Sequence, residues 1–92
     1  MSTEWDQIGY VISSKYRIAV LRQLAAEPST PTTIADESGL GITHISRALR
    51  RLREREMVEL LVPEARQKGR LYALTELGES VWKHIVTTDL LP

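Results

Sequence analysis

The chain has 92 residues, 42% of them apolar and 26% charged, the make-up of one soluble globular domain whose thin core leaves room for a subunit interface to add burial. It has no cysteine, which excludes disulfides, thiolate metal sites and cysteine nucleophiles together. Twelve Lys+Arg balance twelve Asp+Glu, but unevenly: residues 43–70 hold eight basic and four acidic side chains, a local +4 offset by −4 elsewhere, and a cationic third of this kind points to a polyanion.

In chain order, the opening MSTEWDQIGY has no basic region leading into an apolar run, and no uncharged apolar stretch approaches the ~18 residues of a membrane span. A cytoplasmic protein without membrane contact is expected. Thr3, with Asp6 three residues on, can cap a first helix over residues 1–13 carrying Trp5, Ile8, Val11 and Ile12. Ser13 or Ser14 offers a second start, after which Tyr16, Val20 and Leu24 recur at helical spacing up to Pro28. EPSTPT is a turn that ends with Thr30 as N-cap and Pro31 at the first helical position, opening a short helix to Ser38 that Gly39 stops.

After GLG a longer helix is expected over roughly 43–56. At 100° per residue, Ile42, Ile45, Ala48, Leu49 and Leu52 fall in one arc facing the core, while the opposite arc centres on Thr43, Arg47, Arg50 and Glu54. Five of the nine residues from Arg47 to Arg55 are arginine. Two β-like segments follow, VELLVP and GRLYALT, joined by PEARQKG, which is long for a hairpin turn and reads as a projecting arm over 63–70. Thr75 caps a last helix to about Thr87, with Leu77, Val81 and Ile85 on one stripe and Trp82 with Val86 on another. The fold is therefore mainly α with a small β-hairpin, in one domain: an N-terminal helix (1–13), a core (14–74) and a C-terminal helix (75–92).

A short helix, a glycine turn and a second helix that is apolar on one side and polar-basic on the other form a helix-turn-helix, and a hairpin directly after it makes a winged helix. In SSKYRIAVLRQLA, TPTTIADESGLGITHISRALRRLRE and VPEARQKGRLYALTELG the chain resembles the MarR/ArsR-like winged-helix regulators, especially their small archaeal members, over nearly its whole length. The resemblance implies a sequence-specific transcriptional regulator of double-stranded DNA, with terminal helices forming a two-fold interface. Many relatives have glycine where the recognition helix ends; here Glu56 stands there, so the helix is expected to end without a left-handed cap.

The residues support DNA independently. The N-terminal part of a recognition helix sits deepest in the major groove, which makes Thr43, His44, Ser46 and Arg47 candidates for base edges, with Arg47 suited to guanine. Arg50 and Arg51 lie one turn on, where phosphates are the expected targets, and Arg66, Lys68 and Arg70 of the wing can reach flanking DNA. Arg53 and Arg55 suit the negative end of the helix dipole instead. His44 and His84 have no companion ligands at metal-binding spacing, and no nucleophile–base pair or phosphate-cradling glycine loop is present, so neither a metal, a cofactor nor an enzyme is expected. Surplus apolar residues at both ends, Trp5, Ile8 and Ile12 with Trp82, Val86 and Leu90, are the candidate homodimer interface. Two other readings compete: a protein-interaction adaptor, favoured by the zero net charge, and a ligand-sensing repressor, for which so short a chain leaves little room.

Overall fold

The computed structural model describes residues 4–63, 65–66 and 68–91. The cap expected from Thr3 lies outside the described residues, as do Glu64 and Gln67 of the projecting arm. Five helices and two strands follow in the order α1 (Glu4–Ile12), α2 (Lys15–Ala26), α3 (Pro31–Ser38), α4 (Ile42–Glu54), β1 (Val58–Leu60), β2 (Tyr72–Leu74) and α5 (Glu76–Thr87). This is a winged helix-turn-helix with an extra helix at each end. No helix among the described residues is long and apolar enough to cross a membrane.

The local chemistry sets these boundaries. Ser14 caps α2 by accepting from the Arg17 amide at 3.4 Å, and Thr30 caps α3 by accepting from the Thr33 amide at 3.2 Å, with Pro31 in the first turn. Gly39 ends α3 in the left-handed region at φ +73°, which its missing Cβ makes free of strain. α2, α3 and α4 pack on one another, and α1 and α5 cover α2 from outside. One core joins them, built on Val20, Leu21, Ile34, Ile45, Leu49, Leu52, Met57, Val81 and Ile85.

The strands are shorter than the β-like segments. β1 and β2 pair antiparallel with Val58 opposite Leu74 and Leu60 opposite Tyr72, and the Leu61 amide extends the ladder to the Leu71 carbonyl at 2.8 Å. Ser29, expected only as part of a turn, forms an isolated antiparallel bridge to β2: its amide donates to the Tyr72 carbonyl and the Tyr72 amide donates back, both at 3.0 Å.

The end of α4 departs from expectation. The chain does turn left-handed there, at Glu56 with φ +64°. The Glu56 amide donates to the Arg53 carbonyl at 2.9 Å and the Met57 amide to the Leu52 carbonyl at 3.0 Å, the pair of bonds of a Schellman cap, and Met57 is driven fully into the core. The N-terminus of α5 holds this cap from the other side. Thr75 donates its hydroxyl to the Glu56 carbonyl at 2.6 Å and its amide to the Met57 carbonyl at 3.1 Å. The backbones approach so closely that a Cβ on Gly78 would collide with the Met57 carbonyl oxygen. Tertiary contact thus over-determines a backbone state that a glutamate alone disfavours.

Two apolar assignments also change. Ile42, placed in the core arc, is 46% exposed, because it starts α4 and points past the packed surface. Ile8, placed in an intermolecular interface, is 1% exposed and belongs to the core of its own chain, because α1 folds back onto α5.

Candidate nucleic-acid interface

α4 presents two polar flanks separated by its core-facing stripe. On one flank, a cleft of about 1050 Å³ opens between α4, the start of α3 and the wing. Ile42, Thr43, Ser46, Arg47, Arg50 and Arg53 line it from α4, Thr30, Pro31 and Thr32 from the start of α3, and Lys68, Gly69, Arg70 and Tyr72 from the wing. Six of the nine expected DNA-contacting residues meet here: Thr43, Ser46, Arg47, Arg50, Lys68 and Arg70. The Ser29–Tyr72 rung ties the wing's return strand to the residue before the α3 cap, so both outer walls share one support.

The wing's shape comes from its own cations. Arg66 donates from Nε to the Lys68 carbonyl at 2.9 Å, and Arg70 donates from Nε to the Arg66 carbonyl at 2.6 Å. Gly69 adopts φ +64°, and the Arg66 guanidinium lies 3.4 Å from where a Cβ would stand on it. Arg66 therefore folds over the tip and does not line the cleft.

His44 and Arg51 lie on the other flank. The His44 ring stacks on Tyr16 of α2, with centroids 4.6 Å apart and planes 18° from parallel, and Arg51 pairs with Glu54 at 3.6 Å with both side chains exposed. An exposed pair of this kind adds little stability. Arg55 is committed elsewhere, to α1: it donates to Gln7 Oε1 at 3.1 Å, and its guanidinium lies 3.7 Å from the Tyr10 ring centre. Arg17 stacks at the same 3.7 Å and donates to the Tyr10 carbonyl at 2.7 Å, so two guanidiniums flank one tyrosine and join α1 to α2 and to the end of α4. The sequence reading left out Arg53 and the threonines at the start of α3; Arg53 lies at i+3 from Arg50, a spacing that puts both on one flank.

The terminal helices meet within one chain. Ser80 donates to Glu4 Oε1 at 2.6 Å, His84 Nδ1 lies 3.6 Å from Glu4 Oε2, and the Trp5 ring meets the His84 ring edge-on at 4.9 Å. The Ser80 hydrogen bond chiefly, against a smaller opposing desolvation and with help from His84, holds the Glu4 carboxyl below its ordinary pKa. Trp82 is half-buried under Arg22 of α2, with the guanidinium 5.9 Å from the ring centre. Trp82 and His84 are two positions apart on a helix, about 200° around it, so the two tryptophans lie on opposite flanks of α5 and form no common stripe. Trp5 is 60% and Val86 52% exposed, whereas Ile12 and Leu90 are half-buried against the core.

Among solved structures, a mutant form of ZitR from Lactococcus lactis superposes with a TM-score of 0.73 at 26% identity, covering 84% of this chain and 53% of ZitR. NMB1585, a MarR family regulator from Neisseria meningitidis, gives 0.74 at 21% identity over 97% of this chain and 74% of its own, and RV1404 from Mycobacterium tuberculosis gives 0.73 at 22% over 90% and 60%. These likenesses show a MarR-type winged-helix fold, and the chain spans about half the length of ZitR. No curated protein matches it in sequence. The family model described as the HVO_A0261 N-terminal domain matches residues 5–89, and the chain belongs to that family.

Proposed function

We propose that the protein is a transcriptional regulator that binds double-stranded DNA sequence-specifically as a homodimer in the cytoplasm, with α4 in the major groove and the wing on flanking DNA. One observation carries this reading: five of the eight basic residues in the cationic third of a neutral chain, Arg47, Arg50, Arg53, Lys68 and Arg70, line one cleft beside the small polar side chains Thr43 and Ser46. Fixed dipoles and cations on concave walls suit a phosphate backbone, and short polar residues at the helix start leave room for base edges. Arg47 is the candidate base reader; Arg50, Lys68 and Arg70 hold phosphates. His44, Arg51 and Arg66 act at the margins, the first two on the far flank of α4. The MarR-type neighbours support the regulatory role, and the haloarchaeal locus in the family's name supports an archaeal origin. The exposed Trp5 on one flank of α5 and the exposed Val86, beside the half-buried Trp82, on the other support dimerisation through the terminal helices, with Ile12 and Leu90 packed against the core nearby.

A gel shift on mixed genomic fragments at low salt, followed by a salt series, tests the reading. With about six phosphates neutralised per dimer, log K should fall against log salt with a slope of about −5. A flat response would reject DNA as the partner and leave the adaptor reading. Sedimentation at tens of micromolar should give a dimer; a monomer would reject the assembly.

A further inference from the structure

Ile42 is the one branched aliphatic side chain among the described residues that line the cleft. It is a large aliphatic side chain, 46% exposed, in a space whose other lining residues are arginine, lysine, threonine, serine and tyrosine with Pro31 and Gly69. The core does not need it, since Ile45, Ala48, Leu49 and Leu52 already form the buried stripe of α4. It is also the first residue of α4, after Gly41, which caps the helix without a side chain that could fill the space. The start of a recognition helix is the part that goes deepest into the major groove.

We propose that Ile42 is a specificity-determining residue that covers the C5-methyl group of a thymine, an inference that rests on the DNA reading above. The major groove offers four hydrogen-bonding patterns and one apolar group, the thymine methyl. An aliphatic side chain cannot answer the donors and acceptors of guanine, adenine or cytosine and would desolvate them without replacement. Facing a thymine methyl, it buries two apolar surfaces against each other. The neighbouring Thr43 can then reach an adjacent base edge or phosphate with its hydroxyl, so one turn of α4 distinguishes a methyl from a polar edge.

The test begins by selecting bound duplexes from a random DNA pool with the full chain. The selected duplex is then remade with deoxyuridine in place of each thymidine in turn, which removes the methyl and preserves base pairing. The unmodified protein should lose about fourfold in affinity at one thymine per half-site, the effect of about one buried methyl group, and little at the others. Ile42→Ala, at an exposed position that leaves the core intact, should lose a similar factor on the thymine duplex and bind the deoxyuridine duplex as well as the thymine one. Selected half-sites without thymine facing the start of α4, indifference of the unmodified protein to every methyl, or an Ile42→Ala protein that still discriminates between the two duplexes would each overturn the assignment. These outcomes occur with DNA bound. A failure to enrich or bind any duplex overturns the DNA reading itself and this assignment with it.

Discussion

Replacing Glu56 with glycine isolates the strain stored where α4 ends. A non-glycine residue in the left-handed region costs about 1–2 kcal/mol relative to the right-handed one, and Glu56 stands there at φ +64°. Glycine removes that cost but brings a more flexible unfolded chain, which returns about 0.5–1 kcal/mol. The net gain expected for Glu56→Gly is therefore about 0.5–1 kcal/mol, or a rise in Tm of roughly 2–8 °C for a domain of this size. Charge complicates the comparison, because a carboxylate at a helix C-terminus opposes the dipole and its removal alone stabilises by some tenths of a kcal/mol. Glu56→Gln and Glu56→Ala supply the control, since both lose the charge and keep the strained φ. Thermal melts followed by circular dichroism should rank Glu56→Gly above both, with the two controls close together. If the controls rise as far as the glycine variant, the gain is electrostatic; if the glycine variant does not rise at all, the left-handed turn costs nothing and the argument fails.

Gly78→Ala should destabilise by about 1–3 kcal/mol, because its Cβ has nowhere to go but into the Met57 carbonyl, and denaturant midpoints should show it. Arg47→Ala should cost about 1–3 kcal/mol of binding and relax preference at one base pair per half-site, whereas Lys68→Ala should weaken all sequences alike and flatten the salt slope by about one unit; competition binding on a panel of single-base variants separates the two. Glu4 has a lowered folded-state pKa, so its contribution is complete above the unfolded carboxylate range and is lost as pH falls through the lower, folded value. Tm plotted against pH should therefore drop less steeply in acid for Glu4→Gln than for the unmodified protein, and parallel curves would show that the Ser80 contact does not link to folding.

Local chemistry was legible in the residues themselves. Thr30 followed by Pro31, and Thr75 before an amphipathic run, each announce a helix start because the capping hydroxyl and the helix it caps are adjacent in the chain. The arc of Ile45, Ala48, Leu49 and Leu52 was readable for the same reason, and so was the outward position of Arg47 and Arg50. What escaped depends on partners far along the chain. Ser29 becomes a bridge residue only because Tyr72 arrives beside it, and Glu56 is forced left-handed only because Thr75 and Gly78 seat against Met57. A helical wheel assigned Ile42 to the core from its angle, but a wheel has no ends, and this residue lies where the packing partner has already run out. The wheel centred the polar arc on Thr43, Arg47, Arg50 and Glu54, yet it could not say on which flank of that arc the wing would stand.

The rung between Ser29 and Tyr72 bears on the kinetics of association as well as on architecture. It closes a loop of more than forty residues with two short hydrogen bonds, a step whose entropic cost is met when the chain folds. The start of α3 and the return strand of the wing consequently reach an encounter already held at a fixed separation. On the DNA reading, a duplex entering between them would meet walls that are already set. Slow association limited by a conformational search is then not expected; encounter should be governed by diffusion and by the local field of the arginines, with rates that rise steeply as ionic strength falls.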